Sequence, residues 1–169
     1  MSDQELYKNL VILGGGIEAC IEKKLTTPAL ILIYSAIDTV GWLDSEKRDA
    51  TRDSFMSWVD RYLLKARPLQ CSSGDLYAAR CGLLHTFTAD SALSFAGKAR
   101  RIGYAWGKAK AEDLQRMIDL SNNSSKYVAV HVEELYEAWR LGLLAFTSDL
   151  NNDSSRRSKV YAKAQRFFS

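Results

Sequence analysis

The chain has 169 residues, 47% of them hydrophobic and 25% charged, which supplies one sizeable core and excludes a disordered polymer. Its 23 Lys and Arg against 20 Asp and Glu give a net charge of +3, too mild to identify an anionic partner by itself. Cys20, Cys71 and Cys81 stand at unrelated spacings that fit neither a disulfide framework nor a zinc site, so reduced thiols are expected.

Leu6, Leu10, Leu13, Ile17, Ile21 and Leu25 recur at helical spacing and predict a first helix over residues 3–24. Thr27 and Pro28 read as a helix start, with the second helix running to about Leu43. The apolar run from Ala29 to Leu43 is interrupted by Tyr34, Ser35, Asp38 and Thr39 and is shorter than the roughly 20 residues of a bilayer span. Together with the acids near Met1, where a secretory signal would carry basic residues, this predicts a cytoplasmic protein without a membrane partner.

Phe55, Trp58, Val59, Tyr62 and Leu63 mark a third helix over residues 54–65, closed by Pro68. The turn Ser72-Ser73-Gly74-Asp75 offers caps for a fourth helix carrying Leu76, Ala79, Leu83, Leu84 and Phe87. The pattern then changes. Residues 100–107 and 126–132 read as two short strands, taken as a small β-hairpin insertion within 100–132, with a short helix over 111–119 in the connection. Leu135, Trp139, Leu143, Phe146 and Leu150 define a long helix, and a basic final helix reaches Phe168. The expected architecture is a single, mainly α domain over residues 1–169: a bundle of about six helices with a small β-element.

Three motifs carry chemistry. The run Leu10-Val11-Ile12-Leu13-Gly14-Gly15-Gly16-Ile17-Glu18-Ala19 spells a strand followed by G-x-G-x-x-A, a dinucleotide fingerprint, but the helical periodicity beyond residue 45 offers no parallel sheet to hold it. A glycine-rich helix is therefore favoured. The second motif is Arg80 and His85 in an otherwise apolar helix, where a cation needs a partner and an imidazole titrates near neutral pH. Asp38, a carboxylate inside the second helix, is the expected partner of Arg80, with Asp75 better suited to a cap. The third is the acid-free stretch from Ser91 to Ala111, where Lys98, Arg100, Arg101 and Lys108 interleave with Tyr104 and Trp106 in a pattern that suits phosphates and bases. His131 lacks a ligand partner at metal spacing, and no metal or cofactor is expected.

Arg80, four residues and then His85, set near the end of a helix, resembles the signature of the HEPN superfamily of helical-bundle proteins. The resemblance covers roughly residues 1–150. It implies a homodimer in which two such motifs meet, and a metal-independent endoribonuclease of a toxin or defence system. In that role Arg80 steadies the phosphate and His85 takes part in proton transfer as the ribose 2′-hydroxyl attacks. It also implies RNA or a nucleotide as ligand and an antitoxin-type protein as a further partner. The residue after the arginine, polar in the family pattern, is Cys81 here. This departure keeps open a non-catalytic protein-interaction module in which Arg80, His85 and Asp38 are structural.

Overall fold

The structure, a computed structural model, describes residues 3–86, 88 and 90–165, apart from the side chains of residues 3–5, 85 and 86. Phe87, Arg166 and Phe168, which the sequence reading assigned to helices, lie outside the described residues.

The chain begins with two long helices, α1 (Asp3–Glu22) and α2 (Thr26–Asp44). Gly14, Gly15 and Gly16 sit inside α1, so the segment forms no strand-to-helix turn and the dinucleotide fingerprint has no structural basis. Helix α2 starts one residue before Thr27, after Leu25, and no side chain caps it. By length and composition α2 could cross a membrane, but half of the stretch is buried here, where it packs against α1 and four later helices of the chain. Its Ile33, Tyr34, Ala36, Ile37 and Val40 are fully enclosed and form the centre of the core.

Helix α3 starts at a capping box in which the Thr51 and Ser54 side chains each accept from the other's backbone amide. It is α-helical over Arg52–Trp58, widens to a π-helical stretch over Val59–Leu63 and ends with the α-helical turn Leu64–Ala66. Gly41 of α2 is required where these helices cross, since a Cβ there would fall 2.8 Å from the Ser54 carbonyl oxygen. Next come α4 (Ser73–Thr86) and the single-turn α5 (Ala92–Phe95).

The β-element differs from the hairpin expected. Strands β1 (Arg101–Ala105) and β2 (Tyr127–His131) are parallel, with Arg101 opposite Tyr127 and Ala105 opposite His131. A parallel pair needs a crossover, and α6 (Ala111–Leu120) supplies it. The sheet is covered on both faces: Tyr104 reaches Tyr34 of α2, while Gly103 lies against Leu114 of α6. Val128, Ala129 and Val130 are accordingly all buried. The long helix α7 (Val132–Asn152) leaves β2 directly, and α8 (Ser154–Ala164) follows. The described residues thus hold eight helices, not six, around a two-stranded parallel sheet, and the architecture is mainly α as expected.

The last helix is clasped to the end of α2. Arg156 donates to the Asp44 carboxylate and the Tyr62 hydroxyl, and Lys163 Nζ donates to the Trp42 and Ser45 carbonyls at 2.5 and 2.7 Å. A cation therefore satisfies carbonyls that a helix C-terminus leaves open.

Candidate functional site

Helix α4 is positioned by its first turn. The Ser72 hydroxyl accepts from the Asp75 amide at 3.1 Å and Asp75 accepts from the Ser72 amide at 3.0 Å, so each side chain satisfies the other's backbone. Asp75 also receives the Arg100 amide at 2.7 Å and the Arg100 guanidinium at 2.8 and 3.1 Å. Burial alone would raise the Asp75 pKa, but the amides of Ser72 and Arg100 and the guanidinium outweigh it, and the carboxyl titrates below its usual range. Asp75 is thus both the cap of α4 and the anchor of β1.

One turn further on, Arg80 Nε donates to Asp38 Oδ2 of α2 at 2.6 Å, with the two side chains 21% and 16% exposed. The pair predicted from two charges stranded in apolar helices is present, and it is open to water at its rim. Burial works against the guanidinium's charge, while the hydrogen bond and charge of Asp38, aided by the adjacent Cys81 thiol, hold its pKa above the ordinary value. Tyr77 stands beside Cys81, Arg80 and Asp38, and burial and its contact with Cys81 raise its pKa. Tyr77 and Cys81 complete the polar cluster, and neither had been read as part of it, because Tyr77 looks like a core aromatic and Cys81 like a small apolar residue.

His85 lies on the last turns of the same helix, and its side chain is outside the described residues. Thr88 and Asp90 lie over Gly82, and the Thr88 amide donates to the Gly82 carbonyl at 3.3 Å. A Cβ on Gly82 would fall 2.6 Å from the Thr88 carbonyl oxygen and 2.7 Å from that of Asp90. Only a glycine lets the backbone at Thr88 and Asp90 approach α4 between Arg80 and His85.

The basic segment does not form one surface. Arg100 is held by Asp75, and Arg101 Nε donates to the Asp90 carboxylate. The Tyr104 ring points inward, its hydroxyl bonded to that of Tyr34, and burial pushes both phenols well above their usual pKa. Lys98, Trp106 and Lys108 are exposed, but β1 separates Lys98 from the other two by five residues, about 16 Å of strand. The arginines look unopposed in the sequence because their acids, Asp75 for Arg100 and Asp90 for Arg101, lie outside the segment.

His131 Nδ1 lies 3.1 Å from Glu133 Oε2 at the start of α7, and the other Glu133 oxygen accepts from the Gly107 amide at 2.9 Å. Among the described residues no group of three His, Cys, Asp or Glu side chains gathers to hold a metal ion. The buried Cys71 thiol is pushed up to about 12 by burial and by the Asp75 charge. Comparisons with protein-family models, curated proteins and solved structures return no match, so the geometry carries the functional argument alone.

Proposed function

We propose that this chain is a HEPN-like protein that binds RNA or a nucleotide at Arg80, with Asp38 as positioning residue and His85 as proton-transfer group, and that it acts as a metal-independent endoribonuclease. The observation that carries the reading is the Arg80–Asp38 pair, in which an acid fixes the guanidinium through Nε while the cation stays within reach of solvent five positions before His85 on one helix. A phosphodiester seated on Arg80 places its negative charge against an oriented donor. The ribose 2′-hydroxyl then attacks phosphorus, forming the P–O2′ bond as the P–O5′ bond breaks. Its proton passes to a neutral imidazole, and the departing 5′-oxygen takes one up. The products are a 2′,3′-cyclic phosphate and a 5′-hydroxyl. A homodimer brings a second histidine to the same phosphate, so that one acts as base and the other as acid.

The test is incubation of purified protein with mixed RNA in the presence of a chelator, beside Arg80→Ala and His85→Ala variants. Cleavage by the wild type alone, leaving cyclic phosphate ends, is the expected result. RNA left equally intact by all three proteins removes the ribonuclease reading.

A second reading is favoured by one observation: Arg100 and Arg101 are bound to acids and Tyr104 faces the core, so much of the basic segment serves as internal scaffold. On that reading the chain is a non-catalytic module that binds a protein partner of the antitoxin type, and Arg80–Asp38 only pins α4 to α2. Arg80→Met paired with Asp38→Leu separates the two. The module retains its fold and partner with the apolar pair, whereas the ribonuclease loses all activity.

A further inference from the structure

We propose that Phe95, Arg101 and Tyr127 form a base-stacking subsite for single-stranded RNA beside the Arg80–His85 motif. The inference rests on the reading of the chain as an RNA-binding protein and identifies the substrate as an unpaired strand. The Arg101 guanidinium lies 5.4 Å from the centre of the Phe95 ring and 5.7 Å from that of Tyr127. Arg101 and Tyr127 are partners in the strand register, so their side chains leave the sheet side by side. Both rings face water, Phe95 at 73% and Tyr127 at 37% exposure.

An exposed phenylalanine is common on loops, but this one is held rigidly. Ser91 and Ser94 form a reciprocal capping box around α5, and Gly97, at φ +65°, closes the turn so that the Lys98 amide donates to the Leu93 carbonyl at 2.9 Å. The turn thus fixes an aromatic ring in solvent, where burial gives it no stability. Asp90 accepts from Arg101 Nε and offsets its charge. The guanidinium therefore serves as a flat surface between two rings more than as a phosphate ligand, and a base added to an outer ring face extends an existing stack. Lys98, three residues after Phe95, and Lys126, which precedes Tyr127, are exposed, and the Lys126 carbonyl accepts the Arg101 amide at 2.8 Å. These lysines suit the strand's phosphates.

The platform is joined to the motif by the backbone that crosses Gly82. Asp90, which orients Arg101, lies against the α4 turn between Arg80 and His85. A base on the platform therefore belongs to a nucleotide near the one whose phosphate sits on Arg80. A duplex, with its bases already stacked, cannot use the exposed rings.

The experiment measures fluorescence anisotropy with labelled 2′-O-methyl oligonucleotides, which lack the attacking hydroxyl and stay intact: a uridine 12-mer, an abasic 12-mer and a duplex. Phe95→Ala and Tyr127→Ala are each expected to weaken binding of the uridine strand about 5- to 100-fold, the effect of losing one stacked base. Phe95→Trp retains affinity, and none of these variants changes binding of the abasic strand. Lys98→Ala lowers affinity for both single strands and reduces its salt dependence. Tight binding of the uridine strand by wild type, Phe95→Ala and Tyr127→Ala alike overturns the subsite and leaves the RNA reading standing, as does equal affinity for the duplex. If the wild type binds none of the three, the RNA reading itself falls and the subsite with it.

Discussion

Gly82 is the position where the fold and the candidate site constrain each other most directly. Replacing it with alanine places a methyl group 2.6 and 2.7 Å from two carbonyl oxygens of the segment that crosses α4, and 3.2 Å from the Asp90 carbonyl carbon. These are backbone atoms, so relief requires the main chain at Thr88 and Asp90 to move. Overpacking against backbone this close falls in the upper part of the usual range, about 2–3 kcal/mol, against a gain of about 1 kcal/mol from replacing a helical glycine by alanine. The net loss is about 1–2 kcal/mol, a fall in Tm of about 2–8 °C for a chain of this size. Gly15 supplies the matched control, because it is also helical and a Cβ there meets nothing within 4 Å. Gly15→Ala is expected to raise Tm by up to about 4 °C through propensity alone. Calorimetry on both variants measures the contrast, and hydrogen exchange should show faster opening of residues 90–101 in Gly82→Ala only. A Gly82→Ala protein as stable as the wild type refutes the close approach on which the link between motif and platform depends.

Other consequences are open to direct measurement. The Asp75 carboxyl, with a pKa below its unfolded value, adds stability above about pH 4 that disappears as pH falls through its folded pKa. Asp75→Asn should therefore lose about 1–3 kcal/mol in urea unfolding at pH 7, and the gap to wild type should narrow by pH 3; a gap that is unchanged between the two pH values contradicts this assignment. Arg156→Ala removes the donor to Asp44 and Tyr62 and a cation stacked over the Tyr62 and Phe146 rings, at 5.7 and 5.6 Å. A loss of about 2–3 kcal/mol is expected, with exchange rising first in 154–164, and uniform exchange across the chain would count against the clasp. The Cys71 thiol, raised to about 12, should resist iodoacetamide at pH 8 in the native protein while Cys20 and Cys81 react, as read by peptide mass; alkylation of Cys71 at the rate of an open thiol would show the site to be accessible.

The helices were legible because burial acts on a period of 3.6 residues, and the apolar positions of α1, α3 and α7 keep that period. Asp38–Arg80 was legible for another reason, since two opposite charges in neighbouring apolar helices have few other ways to be satisfied. The strand direction was not, because alternation along 126–132 is the same whether the partner runs parallel or antiparallel. The clue was the helix at 111–119, far too long a connection for a tight hairpin and long enough for a crossover. The partners of Arg100 were hidden by distance along the chain, since Asp75 lies 25 residues away and had already been assigned to a cap. Tyr104 misled for a related reason. Interleaving with basic residues suggested a stacking surface, but β1 turns Tyr104 toward Tyr34 and presents Arg101, beside Tyr127, at the surface edge.

Three arginine–acid pairs converge on α4, and together they explain how a helix with apolar residues on nearly every side acquires a fixed rotation. Leu76, Ala78 and Ala79 are buried and Leu83 and Leu84 are partly buried, so burial alone defines no single inward stripe. Asp75 ties the start of the helix to β1 through Arg100, Arg80 ties its middle to α2 through Asp38, and Asp90, lying over Gly82, ties its far half to β1 through Arg101. The first two bonds are directional, and a rotation of α4 by one residue, about 100°, would break both and drive a side chain into the backbone that lies over Gly82. The motif positions 80 and 85 therefore keep a constant relation to the sheet edge and to α2, and this holds whether or not the chain cleaves RNA. Preorganisation of this kind is what a phosphate site requires, because donors already aimed at an incoming charge need no rearrangement when it arrives.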